Sequence, residues 1–191
     1  MIANILWIFL AFLCGSLPLS YWIGKLFLKT DIRSYGDGNP GGTNVWEAGG
    51  RWWGLTAIIM DGLKGLIPVS LAYYQGGVAG WWILPLALAP TLGHIFSPFL
   101  KFRGGKALAT TFGVWTALTV YQVPIVLGAA LGLWVWLLKN EGWAVIAAVA
   151  SVLVFLIFLN FDLVFIVTWI ANGAILVWRY VDKLKKPNSV E

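Results

Sequence analysis

Two short polar stretches carry the residue types that hold phosphate groups. The first, Asp31-Ile-Arg-Ser-Tyr-Gly-Asp-Gly-Asn-Pro-Gly-Gly-Thr-Asn44, sets Gly36, Gly38, Gly41 and Gly42 among neutral donors and one guanidinium. Glycines allow φ > 0 and can turn successive N–H groups inward as an anion-binding nest. Asn39, Thr43 and Asn44 add neutral polar groups, and Arg33 supplies a planar fork suited to bidentate phosphate contact. A tight connector would use the same composition. The second stretch, Lys101-Phe-Arg-Gly-Gly-Lys106, places Lys101, Arg103 and Lys106 around Gly104 and Gly105, just before a predicted helix. N–H groups at that helix start add positive potential. The spacing is not that of a Walker A loop, and a topology signal touching anionic headgroups would look similar. Two such stretches facing one compartment favour a phosphate site.

Three further ionisable residues lie within apolar runs. Asp61 and Lys64 are spaced i, i+3, on one helical face where they can pair, and charges inside a membrane span usually face a bundle interior or a wet cavity. On that reading Lys64 extends the positive cavity inward while Asp61 holds it. A purely structural pair is the alternative. His94 is the only histidine, which excludes a His-rich metal site, and no Gly-x-Ser-x-Gly elbow accompanies it. It is expected to donate or accept a hydrogen bond near the cavity mouth. The single cysteine, Cys14, cannot form an internal disulfide, and no metal-ligand spacing occurs. No metal or cofactor is expected.

The elements that must position these residues are membrane helices. Of 191 residues, 60% are hydrophobic and 11% charged, and the mean hydropathy is +0.82. Soluble domains carry about a quarter charged residues, so the apolar surface here calls for lipid. A bilayer-crossing helix needs roughly 17–25 apolar residues. Runs near 3–23, 52–75, 80–99, 107–121, 123–138, 143–159 and 163–179 give about seven spans in an all-α polytopic membrane protein, a single integral membrane domain over 1–191. Residues 107–138 could instead form one helix kinked at Pro124, but charge favours two. With seven spans, segments 24–51, 100–106, 139–142 and 180–191 share one side and hold nearly all Lys and Arg, while 76–79, 122 and 160–162 hold none. The positive-inside rule then puts the N-terminus outside and the C-terminus in the cytoplasm. Trp52, Trp53, Trp81, Trp82, Trp143 and Trp178 fall at span ends, where amphipathic rings prefer to sit. Gly128 and Gly132 read as helix-packing residues, and Lys183–Glu191 as a short polar tail. The basic residues form no continuous stripe, which argues against nucleic acid as a partner.

Taken together, Ser16-Leu-Pro-Leu-Ser-Tyr-Trp-Ile-Gly24, the Asp31–Asn44 stretch, Asp61-Gly-Leu-Lys-Gly65 and Gly93-His-Ile-Phe-Ser-Pro-Phe-Leu-Lys-Phe-Arg-Gly-Gly-Lys106 resemble the bacterial membrane acyl-phosphate:glycerol-3-phosphate acyltransferases, the PlsY family. The blocks occur in the family's order over roughly residues 1–113. Three departures stand out. Asp37 occupies a position where the family carries serine, Ala107 one where it carries glycine, and the C-terminal His-x-x-Asn-Ile-x-Arg-Leu pattern has no counterpart, Arg179 and Asp182 being poor stand-ins. Asp37 is expected to turn away from an anion or to pair with Arg33.

The resemblance implies a multi-pass enzyme of the bacterial inner membrane with its site facing the cytoplasm. It implies transfer of a fatty acyl group from acyl phosphate to the 1-hydroxyl of glycerol 3-phosphate, giving lysophosphatidic acid for phospholipid synthesis. Partners would be those two substrates and membrane lipid; the oligomeric state is left open. Arg33, Asn39, Gly41, Thr43, Asn44, Lys64, His94, Lys101, Arg103, Gly104, Gly105 and Lys106 would form the substrate site, with the Gly104–Lys106 loop on phosphate. An acyl phosphate is already activated, so orientation and charge stabilisation are the main tasks and no enzyme nucleophile is required. The competing readings are a relative that binds lipid or phosphate without this reaction or with another acceptor, and, last, a small transporter.

Overall fold

The computed structural model describes residues 1–184, which form nine α-helices and no strands. The helices are α1 (Ile2–Ser16), α2 (Leu19–Leu26), α3 (Gly42–Gly49), α4 (Arg51–Ser70), α5 (Ile83–Ile95), α6 (Leu108–Thr119), α7 (Gln122–Leu138), α8 (Glu141–Phe158) and α9 (Leu163–Tyr180). Five helical stretches are long and apolar enough to cross a membrane: Ile2–Leu26, Arg51–Gln75, Gly80–Leu100, Glu141–Phe158 and Leu163–Lys183; Gln122–Leu138 is a shorter apolar helix. Large apolar side chains such as Ile5, Phe9, Trp136 and Phe158 point outward, as a lipid-facing surface requires.

The expected first span is two helices, not one. Pro18 disfavours the helical conformation at the residue before it, and Leu17 is extended at φ −61°, ψ 122°. The Leu17 carbonyl instead accepts the Lys64 ammonium at 2.7 Å, which satisfies it inside the bundle. Residues 107–138 are likewise two helices. They separate at Val120, which has a positive φ of 57°, and Pro124 falls in the first turn of α7, where its missing N–H breaks no helical bond.

Glycines bring the helices of the site close together. A Cβ on Gly113 of α6 would lie 1.9 Å from the Gly62 carbonyl oxygen of α4, and one on Gly65 would lie 2.5 Å from that of Thr110. Gly15 and Gly93 do the same for α1 against α5. The expected packing pair behaves differently: Gly128 meets only the Phe112 ring at 3.8 Å, and Gly132 has nothing within 4 Å. The deepest core surrounds Trp115 and Trp169, edge to face at 5.0 Å. Their indole N–H groups donate to Asn172 Oδ1 and the Val149 carbonyl, both at 2.9 Å, so each buried donor is satisfied.

The described parts of the four polar segments that the charge pattern grouped meet at one end of this bundle. Ion pairs join Asp37 to Lys106 and Lys183, and Lys183 to Glu141 at the start of α8. Arg179, at the end of α9, donates to the Gly104 carbonyl at 3.2 Å. Lys183 thus belongs to a held turn, Val181–Lys183; residues 185–191 of the expected tail, with Lys185 and Lys186, lie outside the described residues.

Candidate active site

The first polar stretch is folded by its own side chains. Asp31 accepts from the Arg33 backbone N–H at 3.1 Å and takes its guanidinium at 2.9 and 2.7 Å. This hydrogen bonding holds the Asp31 carboxyl well below the usual carboxylate range and raises Arg33. Arg33 therefore pairs with Asp31, not Asp37. Gly36 and Gly38 adopt positive φ of 52° and 75°, which the turn requires. Asn44 is buried and spends its amide on the carbonyls of Tyr35 at 2.7 Å and Ile32 at 3.3 Å. It fixes the loop and lines neither of the polar cavities described below. Gly42–Asn44 have the composition of a connector, yet they begin α3, seated by Val45 in a small core with Ile23, Ile32 and Ala57.

The second stretch also differs from expectation. Gly104 N–H donates to the Ile95 carbonyl at 2.9 Å and Gly105 N–H to that of His94 at 3.2 Å. A Cβ on Gly104 would sit 1.9 Å from the His94 oxygen, and one on Gly105 would sit 2.2 Å from His94 Nε2. These glycines dock the loop onto the end of α5, and their N–H groups are committed to protein carbonyls. What the loop presents is the Lys106 side chain. Ala107, next in line, is left-handed at φ 65° and caps α6 without a side-chain bond. Lys101 is exposed and also left-handed, at φ 53°, outside both polar cavities.

A first cavity of about 190 Å³ lies between the starts of α3 and α6, with Asn39, Gly41, Thr43, His94, Lys106 and Ala107 in its wall. Neither helix start carries a side-chain cap, so two N-terminal dipoles reinforce Lys106. Ile58, Ala109 and Phe112 continue from this cavity into a largely apolar groove of about 380 Å³ between α4 and α6, with Gly62, Leu63, Leu66 and Gly113. A second cavity of about 700 Å³ adjoins the first through Asn39 and Lys106 and gathers Arg33, Arg103 and Arg179.

The carboxylate of Asp37 binds the Lys106 ammonium at 2.7 Å and that of Lys183 at 3.1 Å. Burial raises its pKa, but the hydrogen bond and charge of Lys106, the Asn39 N–H and Lys183 together lower it to about 2. Lys106 also lies 4.7 Å from the centroid of the Tyr180 ring.

Asp61 and Lys64 pair at 2.8 Å, both buried. Asp61 also accepts from Ser20 and lines the first cavity, whereas Lys64 turns behind it to Leu17. The expected roles are thus reversed: the carboxylate faces the cavity and the lysine braces it. His94 is a buried part of the cavity wall, not its mouth, with Nδ1 3.9 Å from Asp61 and no hydrogen-bond partner.

Arg179, Tyr180 and Lys183 were not among the residues that the sequence singled out for the site. A cation at the end of an apolar span, beside Trp178, reads as a membrane-boundary residue; only folding brings it against the Gly104 loop. Among the described residues, no group of three or more His, Cys, Asp or Glu side chains is gathered to hold a metal ion.

The family model described as Glycerol-3-phosphate acyltransferase matches residues 5–187. A glycerol-3-phosphate acyltransferase of Endomicrobium trichonymphae is 35% identical over 97% of this chain and 92% of its own length. Glycerol-3-phosphate acyltransferase 1 of Thermotoga maritima is 43% identical, over 65% of this chain and 62% of its own. The crystal structure of PlsY (YgiH), an integral membrane glycerol 3-phosphate acyltransferase, in its glycerol 3-phosphate form, superposes with a TM-score of 0.85 at 31% identity, covering 95% of this chain and 90% of that one. Its lysophosphatidic acid form gives 0.83. This chain is a helical membrane protein belonging to the glycerol-3-phosphate acyltransferase family.

Proposed function

We propose that the protein transfers a fatty acyl group from acyl phosphate to the 1-hydroxyl of glycerol 3-phosphate, releasing lysophosphatidic acid and phosphate. One observation carries the reading: a cation-bearing cavity flanked by two helix starts runs directly into an apolar groove between α4 and α6. That is the shape of a ligand with an anionic head and a hydrocarbon tail. The head would meet Lys106, Thr43, Asn39 and the α3 and α6 starts, and the tail would lie along Ile58, Leu66 and Phe112. The second cavity, with Arg33, Arg103 and Arg179, would take the phosphate of the acceptor. Lys106 borders both and would bring the two phosphates together.

The acceptor oxygen attacks the acyl carbonyl carbon, the bond from that carbon to the phosphate oxygen breaks, and phosphate leaves with the electron pair. The hydroxyl proton passes to the departing phosphate, so no base from the protein is required. An acyl phosphate is activated before it binds, so direct transfer needs no acyl-enzyme. Positioning and cationic stabilisation of the developing charge are the protein's share.

The whole chain would form one membrane domain with about seven crossings in the bacterial inner membrane, N-terminus outside and the site in the cytoplasm. The grouping of Lys106, Arg179 and Lys183 at one end of the bundle supports that orientation under the positive-inside rule. Lipid-embedded protein supplied with long-chain acyl phosphate and glycerol 3-phosphate tests the reaction. Lysophosphatidic acid should form and be lost in Lys106→Ala. Phosphate release without it would indicate another acceptor, and no consumption by folded protein would indicate a relative that only binds.

A further inference from the structure

In the structure the cation assigned to substrate phosphate already holds an anion. Asp37 Oδ2 takes Lys106 at 2.7 Å and Lys183 at 3.1 Å, and Oδ1 accepts the Asn39 N–H at 3.1 Å. Two lysines and a backbone N–H are the partners that two phosphate oxygens would use. The side chain of Lys106 is 14% exposed and rests on the Tyr180 ring, so it requires a counter-charge whether or not substrate is present. Asp37 is borne between Gly36 and Gly38, both at positive φ, and a Cβ on Gly38 would meet nothing nearer than the Arg33 oxygen at 3.5 Å. A Cβ on Gly36 would crowd Glu47 at 2.7 Å, but the Asp37 side chain itself is 25% exposed, so its carboxylate can exchange the lysines for water.

We propose that Asp37 is a resident counter-anion, holding Lys106 and Lys183 in the empty site, displaced when a phosphate enters and returning when phosphate leaves. Its cost and its use are the same quantity. Affinity for a phosphate is reduced by the fraction of sites in which Asp37 has let go, and the released phosphate is displaced by a tethered competitor. The carboxylate also keeps the lysines aimed at the junction of the two cavities between turnovers. Asp37 is thus a positioning residue acting through Lys106, and the inference rests on the reading of Lys106 as a phosphate contact.

The test is binding of radiolabelled inorganic phosphate to the full chain in lipid nanodiscs, by equilibrium dialysis. Asp37→Asn should tighten binding by about tenfold, the factor expected if Asp37 is released in roughly a tenth of empty sites. Asp37→Glu, which keeps the carboxylate, should restore weak binding. Lys106→Ala should abolish binding in either background. If Lys106→Ala leaves binding unchanged, phosphate does not use Lys106 and the site reading fails together with this inference. If Lys106→Ala abolishes binding while Asp37→Asn leaves it unchanged or weaker, only the counter-anion is overturned. Should Asp37→Asn not fold, the wild-type protein with isotope-labelled aspartate carboxyls decides. The Asp37 resonance, assigned through Asp37→Glu, must shift as phosphate is added, and a resonance that stays in place overturns the proposal.

Discussion

Lys106 and Asp37 meet at 2.7 Å although 69 residues separate them in the chain. The contact joins the two phosphate-friendly stretches, and Lys183 closes it from the third side at 3.1 Å. Cavity and ion network are therefore one construction: the residues that would hold a ligand also tie the loops at this end of the bundle to one another.

The first prediction concerns acid. Asp37 is depressed to about 2 in the folded chain, against about 3.9 for an unperturbed aspartate. A depressed folded pKa means that its ionised form stabilises the fold above the unfolded value, and that this contribution fades as pH falls through the folded one. The stability difference between wild type and Asp37→Asn, measured by thermal unfolding in detergent, should be flat above about pH 4 and vanish towards pH 2. A difference that disappears between pH 5 and 7 would contradict the pairing.

Ala107 offers a gain in stability. A left-handed alanine costs about 1–2 kcal/mol, while glycine gives back about 0.4–1 kcal/mol through the freedom of its unfolded chain. Ala107→Gly should therefore stabilise the protein by about 0.5–1 kcal/mol, read as a raised unfolding midpoint. A lowered midpoint would mean that φ 65° at this position is not under strain.

The Asp61–Lys64 pair should behave as a brace. Asp61→Asn leaves a buried ammonium without its counter-charge, a loss of about 3–5 kcal/mol for a buried pair broken on one side. Asp61→Asn with Lys64→Met should recover much of that. A double-mutant cycle on unfolding free energy checks it, and additive losses would show that the two side chains act separately.

Arg179 distinguishes the two cavities by position. It lines the second and not the first, so Arg179→Ala should raise KM for glycerol 3-phosphate about tenfold or more, as loss of a charge-assisted phosphate contact does. KM for acyl phosphate should move little. An equal rise for both substrates would reject the division.

Much of the frame was legible in the sequence because lipid demands long apolar runs, and the charge pattern grouped the polar segments that the structure joins through Asp37, Lys106, Glu141 and Lys183. Legibility ended where tertiary partners decide. Pro18 lies within an apolar run, so its break reads as continuous span until Lys64 is seen taking the freed Leu17 carbonyl. Gly41–Gly42 has the composition of a loop, yet burial of Val45 starts α3 there. Gly104 and Gly105 read as part of a phosphate loop, yet what lies against them is the end of α5. Arg179 carries no local mark of a site residue, because its partner, the Gly104 carbonyl, is 75 residues away.

Direct transfer of the acyl group to glycerol 3-phosphate is tested by stoichiometry. Purified protein in lipid would be given long-chain acyl phosphate with and without glycerol 3-phosphate, and lysophosphatidic acid and inorganic phosphate would be counted in the same samples. Direct transfer gives the two products in equal amounts, formed only when the acceptor is present. Phosphate released in its absence, or without matching lysophosphatidic acid, would contradict it.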